Sequence, residues 1–114
     1  MIKSKALRDW EYLVRDKGPI VPGPGPYQLH HVYGRTYKHN KVLIGPWYVI
    51  LLPWHLHDVA SNDENNVTHY PKRFAQVYGF QRDLFLEMCD SFVTNGIILP
   101  FGQEVIQAIS LTAR

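Results

Sequence analysis

Tyr27-Gln28-Leu29-His30-His31-Val32-Tyr33-Gly34-Arg35 opens the window that decides the fold, and Phe74-Ala75-Gln76-Val77-Tyr78-Gly79 closes it. All six histidines of the chain, His30, His31, His39, His55, His57 and His69, fall between those limits. Incidental histidines would be scattered over 114 residues, so their confinement points to a shared task, and metal-assisted hydrolysis is the leading candidate. Residues 27–33 read as a strand ending in the paired histidines. A polar, basic loop follows over 34–45, with a short apolar return through Val42, Leu43 and Ile44. Pro46 then starts a second strand, the apolar run Trp47-Tyr48-Val49-Ile50-Leu51-Leu52, and Pro53 ends it. Residues 54–59 read as a helical turn, and Ser61-Asn62-Asp63-Glu64-Asn65-Asn66 as a loop by composition. The window closes on a short helix over 71–78, with proline in its first turn and Gly79 at its C′ position.

On the N-terminal side of the window, residues 4–17 carry Ala6, Leu7, Trp10, Leu13 and Val14 on one helical face, with Ser4 as N-cap and Lys17-Gly18-Pro19 as the stop. The apolar stripe reads as core, the alternative being an arm packed on another subunit. Residues 18–26 hold Pro19, Pro22, Pro24 and Pro26 among Gly18, Gly23 and Gly25, a composition that permits neither a helix nor an interior strand. They read as a stiff connector or a surface loop. On the C-terminal side, Leu84, Phe85, Met88 and Phe92 recur at helical spacing within 82–93, Asn95-Gly96 breaks the pattern, and 103–112 offers Val105, Ile106, Ile109 and Leu111 as a last helix. The expectation is one domain over 1–114, comprising an N-terminal helix (1–17), a Pro/Gly linker (18–26), the motif region (27–79) and C-terminal helices (80–114).

Hydrophobic residues at 46% and charged residues at 19% describe a globular chain and exclude a disordered one. No apolar run approaches the roughly 18 residues of a membrane span, and the residues after Met1 do not read as a signal peptide. The single cysteine, Cys89, excludes an internal disulfide and a cysteine zinc cage, so a reducing cytoplasm is the expected location. The net charge of +2 gains meaning when placed along the chain. No acidic residue lies between Asp16 and Asp58, whereas Lys17, Arg35, Lys38 and Lys41 do, and Lys72 and Arg73 follow. Such a cationic sector suits a phosphate backbone; the alternative is an ordinary solvated basic face.

Neighbouring strand residues point to opposite faces. At the end of the first strand, one imidazole can therefore bind a metal while the other activates a water outside the coordination sphere. Neutral imidazole suits both tasks near neutral pH. Further ligands must come from the segment after the second strand, which offers His55, His57, Asp58 and, farther on, His69. His55 and His57 are two apart and cannot share a helical face, so only one of them is expected as a ligand.

The ordered series resembles the HNH endonucleases of the ββα-metal type. It consists of His30-His31-Val32 with Gly34-Arg35, Lys38-His39-Asn40-Lys41, Ile44-Gly45-Pro46-Trp47, Leu52-Pro53 running into His57, and Asn66-Val67-Thr68-His69 before Phe74 and Tyr78-Gly79. More narrowly, it is similar to the phage recombination enhancement nucleases, the Ref or RecA-dependent nuclease family, over about half the chain. The resemblance implies an α+β fold in which an antiparallel hairpin and a short helix surround one metal, wrapped by additional short helices. It implies hydrolysis of DNA phosphodiester bonds in a phage or prophage recombination setting, with the host RecA filament as a candidate partner.

The resemblance also distributes roles. His30 would hold the metal and His31 would be the general base; His57 and His69 would complete the ligands, with His55 as the alternative to His57. Magnesium is the ion expected in function, and three imidazoles also suit zinc. Asn40 would fix the strand-end loop around the base, although it lies earlier than the family's central asparagine, and a backbone group is the alternative. Arg35, Lys38, Lys41, Lys72 and Arg73 would contact phosphates, which positions DNA without reading its sequence. His39 reads as a phosphate contact or a surface residue, and Trp47 and Trp54 as core. Two other classes stay in view: a non-catalytic DNA-binding module and a structural zinc domain. Whether the substrate is single- or double-stranded, and the oligomeric state, are open at this point.

Overall fold

The computed structural model describes residues 4–114. Residues 1–3, on which the reading of no signal peptide and the head of the 1–17 segment fall, lie outside the described residues. The first helix, α1 (Lys5–Lys17), begins where the sequence places its cap. Ser4 is extended, and its hydroxyl accepts a hydrogen bond from the Leu7 amide, satisfying a donor that has no partner within the helix. The helix stops at Gly18, which adopts a positive φ of 94°. Trp10 and Val14 on its apolar stripe are fully buried, and Trp10 Nε1 donates to the Trp47 carbonyl at 2.9 Å. The stripe is therefore core, packed on its own chain.

Strand β1 (Tyr27–His31) pairs antiparallel with a second five-residue strand, Val49–Pro53, in a register that sets His30 opposite Ile50 and His31 opposite Val49. Every residue of Val49–Pro53 is buried, which explains why its sequence is a continuous apolar run and not an alternating one. Both strand boundaries differ from expectation. The first strand ends at His31 and not at Tyr33, and the second begins at Val49 and not at Trp47. Trp47 and Tyr48 instead close a tight turn, both amides donating to the Ile44 carbonyl at 3.0 and 2.9 Å. Pro53 is the last strand residue, opposite Tyr27, rather than the residue just past it.

The basic loop between these strands is itself partly ordered. Short strands β2 (Lys38–His39) and β3 (Val42–Leu43) form a small antiparallel hairpin, so Val49–Pro53 is β4. Asn40 and Lys41 connect β2 and β3 with φ of 49° and 70°, the paired left-handed conformations that a two-residue hairpin turn requires. After β4 come a single 3-10 turn (Trp54–Leu56), then α2 (Pro71–Tyr78), α3 (Gln81–Thr94) and α4 (Gln103–Ser110). Gly79 ends α2 with a φ of 103°.

The core lies around β4, against which α1 and α3 pack; α3 also contacts α4, and α4 contacts β3. At its centre Trp10 meets Phe85, Phe92 and Phe101 edge-on, with ring centroids 6.3, 5.7 and 5.0 Å away. Trp47 joins this cluster through Phe101, but Trp54 is exposed, contrary to its reading as core. The architecture is α+β, with a small antiparallel pair covered by helices. Among the described residues no helix is long and apolar enough to cross a membrane.

Candidate functional site

Alternation along β1 puts Gln28, His30 and Val32 on one face, and these three residues line a cleft of about 540 Å³. The segment after β4 supplies the opposite wall through His57, Asp58, Val59, Val67 and Thr68, and Pro71 and Gln81 bring in the starts of α2 and α3. His30 and His57, from the two ends of the hairpin, meet here with ring centroids 4.8 Å apart. Of the two candidates after β4, His57 lines the cleft. His55 instead lies beside the Pro/Gly segment, where a side chain grown on Gly23 would come within 3.3 Å of its Cε1.

Each cleft imidazole is held by a carboxamide. His57 Nδ1 donates to Gln28 Oε1 at 2.6 Å, and Gln28 Nε2 donates in turn to Asp58 Oδ2 at 2.9 Å. The carboxylate only accepts; this fixes the orientation of the Gln28 amide, and hence the proton on His57 Nδ1. Likewise His30 Nε2 donates to Gln81 Oε1 at 2.7 Å. In this arrangement His57 Nε2 and His30 Nδ1 keep their lone pairs. Burial, with His57 beside it as the second cause, pushes His30 down from 6.5 to about 4. Burial also lowers His57, against the opposing pull of Asp58, while the hydrogen bond from Gln28 and another from the Ala60 amide lower Asp58. The site at neutral pH is therefore two neutral imidazoles with a carboxylate behind one of them.

A buried asparagine organises the segment that delivers His57. Asn66 Nδ2 donates to the carbonyls of His55 and Asp58, both at 3.0 Å, and its Oδ1 accepts from the amides of Thr68 and His69 at 2.9 and 3.2 Å. The Thr68 hydroxyl closes the same loop onto the His57 carbonyl. The sequence resemblance assigns Asn40 a comparable task at another loop, the strand-end loop around the base. Asn40 itself is exposed at the β2–β3 turn and does not line the cleft.

His31, next to His30 on β1 and therefore on the other face, is not among the cleft-lining residues. His69 is exposed, its Nε2 donating to the Val59 carbonyl at 2.8 Å. Among the described residues no group of three or more His, Cys, Asp or Glu side chains stands together in a way that could hold a metal ion. Arg35, Lys38 and Lys41 are exposed on the β1–β4 connection, and Lys72 and Arg73 on the first turn of α2. His39 is half-buried on β2.

Sequence reasoning missed Gln28, Gln81 and Asn66. Gln28 carried a usable signal, since it stands two residues before His30 and so shares its strand face. Gln81 reaches His30 only through the packing of α3. Compared with family models, with curated proteins and with solved structures, the chain finds no match.

Proposed function

We propose that this chain is a metal-dependent DNA endonuclease of the HNH type, in which His30 and His57 hold a divalent ion. The observation that carries the reading is their meeting: two imidazoles separated by the whole hairpin come to 4.8 Å, each with one ring nitrogen engaged and one lone pair left. A donor set of this kind fits a divalent metal, because ligating histidines donate their other ring N–H to an oxygen that fixes tautomer and orientation. Two imidazoles leave coordination positions open, as a catalytic site requires and a closed structural zinc site does not. Magnesium is the ion proposed in function and zinc its substitute in isolation. When bound, the ion would polarise the scissile phosphate and stabilise the leaving oxygen.

The chain's own residues do the rest. Gln28 and Gln81 hold the two rings, and Asp58 supports His57 through Gln28. Arg35, Lys38, Lys41, Lys72 and Arg73 would hold the DNA backbone, and His31 would take a proton from the attacking water. His69 would become a third ligand only by giving up the Val59 carbonyl. The recombination setting and the RecA filament rest on the sequence resemblance alone. A second reading, a DNA-binding module without catalysis, draws on one observation: His31 is absent from the cleft that His30 and His57 share.

Plasmid nicking and single-strand cleavage with Mg²⁺, with and without RecA filaments, separate the two. The wild type is expected to cut, and His57→Ala and His31→Ala to lose at least about 100-fold in rate. Zinc titration should show His31→Ala still binding the ion and His57→Ala not. A His31→Ala variant that cuts like the wild type removes the base assignment. A wild type that never cuts leaves the binding module.

A further inference from the structure

The histidine cleft has a neighbour. A pocket of about 310 Å³ shares Val32, Pro71 and Gln81 with it, so the two open side by side on the same edge of the molecule. Tyr33, Tyr48 and Phe80 give this pocket aromatic walls, and Lys72, Arg82 and Arg114 make it cationic. Tyr33 extends the aromatic surface outward, stacking on Tyr37 with centroids 4.6 Å apart and planes 26° from parallel. Its ring is steadied from behind by Tyr48, edge-on at 5.7 Å.

Three aromatic side chains here are partly open to solvent: Tyr37 is 37% exposed, Tyr33 38% and Phe80 41%. Tyr37 lies on the basic loop, and Tyr33 and Phe80 line the pocket that adjoins the histidine cleft. The charges here are not all spent internally. Arg82 is committed to the fold, donating to the Ser110 and Thr112 carbonyls at 3.1 and 2.8 Å, and Asp83 faces both Arg82 and Arg114 at 3.6 and 3.4 Å. Arg35 and Lys72, by contrast, are exposed and make no ion pair among the described residues.

We propose that this strip is a track for single-stranded DNA, which delivers an unpaired strand to the histidine cleft. The inference rests on the nuclease reading for the identity of the substrate as DNA, and adds that the strand presented for cutting is single. The reason is geometric. Bases in a duplex are stacked on one another and offer side chains only their edges, whereas Tyr37, backed on one face by Tyr33, and Phe80, with the Arg114 guanidinium 5.5 Å over its ring, are exposed aromatic side chains on which an unpaired base can stack. Exposed ring faces beside backbone-binding cations are what unpaired bases and their phosphates require. Arg35 and Lys72 would hold phosphates at either end of the strip, with the bases stacked between them.

The test is a binding measurement in EDTA, so that no cleavage is needed. Fluorescein-labelled oligo(dT) of about 15 nucleotides is compared with a duplex of the same length by anisotropy. The single strand is expected to bind more tightly. Tyr37→Ala and Phe80→Ala should each weaken single-strand binding by about fivefold or more while leaving duplex binding unchanged. Tyr37→Phe should restore the wild-type value, and an unchanged melting temperature for Tyr37→Ala shows that the fold is intact. Equal affinity for the two DNAs, or an equal loss on both in Tyr37→Ala, overturns the track. The two proposals fail separately. Tight single-strand binding without cleavage under any condition removes the nuclease and keeps the track, whereas duplex cut as readily as single strand keeps the nuclease and removes the track.

Discussion

His30 is where burial and chemistry meet most directly. It is held near 4 by burial and by its neighbour His57, against an unperturbed value of 6.5. Between those two values the unfolded chain binds a proton that the folded chain does not. Linkage then makes stability rise with pH across that window. The contribution is complete above 6.5, is lost as pH falls towards about 4, and does not change further below it. At about 1.4 kcal/mol per unit, the loss amounts to about 3 kcal/mol. Urea unfolding in EDTA at about pH 7.5 and about pH 4.5 should show the wild type losing about that much more stability than His30→Gln. Equal losses would mean that His30 is not the buried neutral group described here. The same scale shows the limits of reading composition. Asn66 lies in a run of polar residues that reads as solvated loop, yet it is fully buried and replaces backbone partners for four residues around the site. A side chain that substitutes for backbone pairing looks, in sequence, like one that does nothing.

At the scale of elements, what was legible was whatever has a local cause. Ser4, Gly18 and Gly79 mark helix ends because capping and left-handed termini are properties of a few adjacent residues. The β2–β3 hairpin escaped because its turn is Asn40-Lys41, with no glycine to announce it, and lysine seldom adopts a φ of 70°. Trp47 was read into a strand because the apolar run is continuous there, while the turn at Ile44 depends on contacts across the loop. Gly45 shows how tight that loop is. The amides of Ile44 and Gly45 both donate to the Tyr37 carbonyl, at 3.1 and 3.0 Å, and a Cβ on Gly45 would strike the Gly34 carbonyl oxygen and lie 2.8 Å from the Tyr37 nitrogen. These are backbone atoms and cannot step aside cheaply. Gly45→Ala should therefore destabilise the protein by about 1–3 kcal/mol, lower the melting temperature by several degrees, and spread the cations carried on the loop. A melting curve identical to the wild type would show that the neck of the loop is looser than these backbone contacts require.

At the scale of the whole molecule, α1 decides whether the cleft stands alone or belongs to one cooperative unit. The sequence left two readings of its apolar stripe, and the packing of Trp10 against Phe85, Phe92 and Phe101, with its indole bonded to the Trp47 carbonyl, selects the intramolecular one. That packing ties α1 to α3 and to the turn that precedes β4, the strand against which β1 sets His30. Truncating a buried tryptophan costs about 3–5 kcal/mol, a large part of the roughly 5–15 kcal/mol that holds a domain of this kind together. Trp10→Ala should therefore shift the urea midpoint strongly downward, independently of protein concentration, in a single transition. Cys89 supplies an independent clock: its thiol is buried among core residues and pushed up to about 12, so it reacts with thiol reagents only when the core opens. In Trp10→Ala, far-UV circular dichroism and Cys89 labelling should report the same midpoint. If helix signal is lost well before Cys89 becomes reactive, α1 is an appendage. If the midpoint rises with protein concentration, α1 is an exchanged arm, and the cleft would then owe its rigidity to a second chain instead of to its own N-terminal helix.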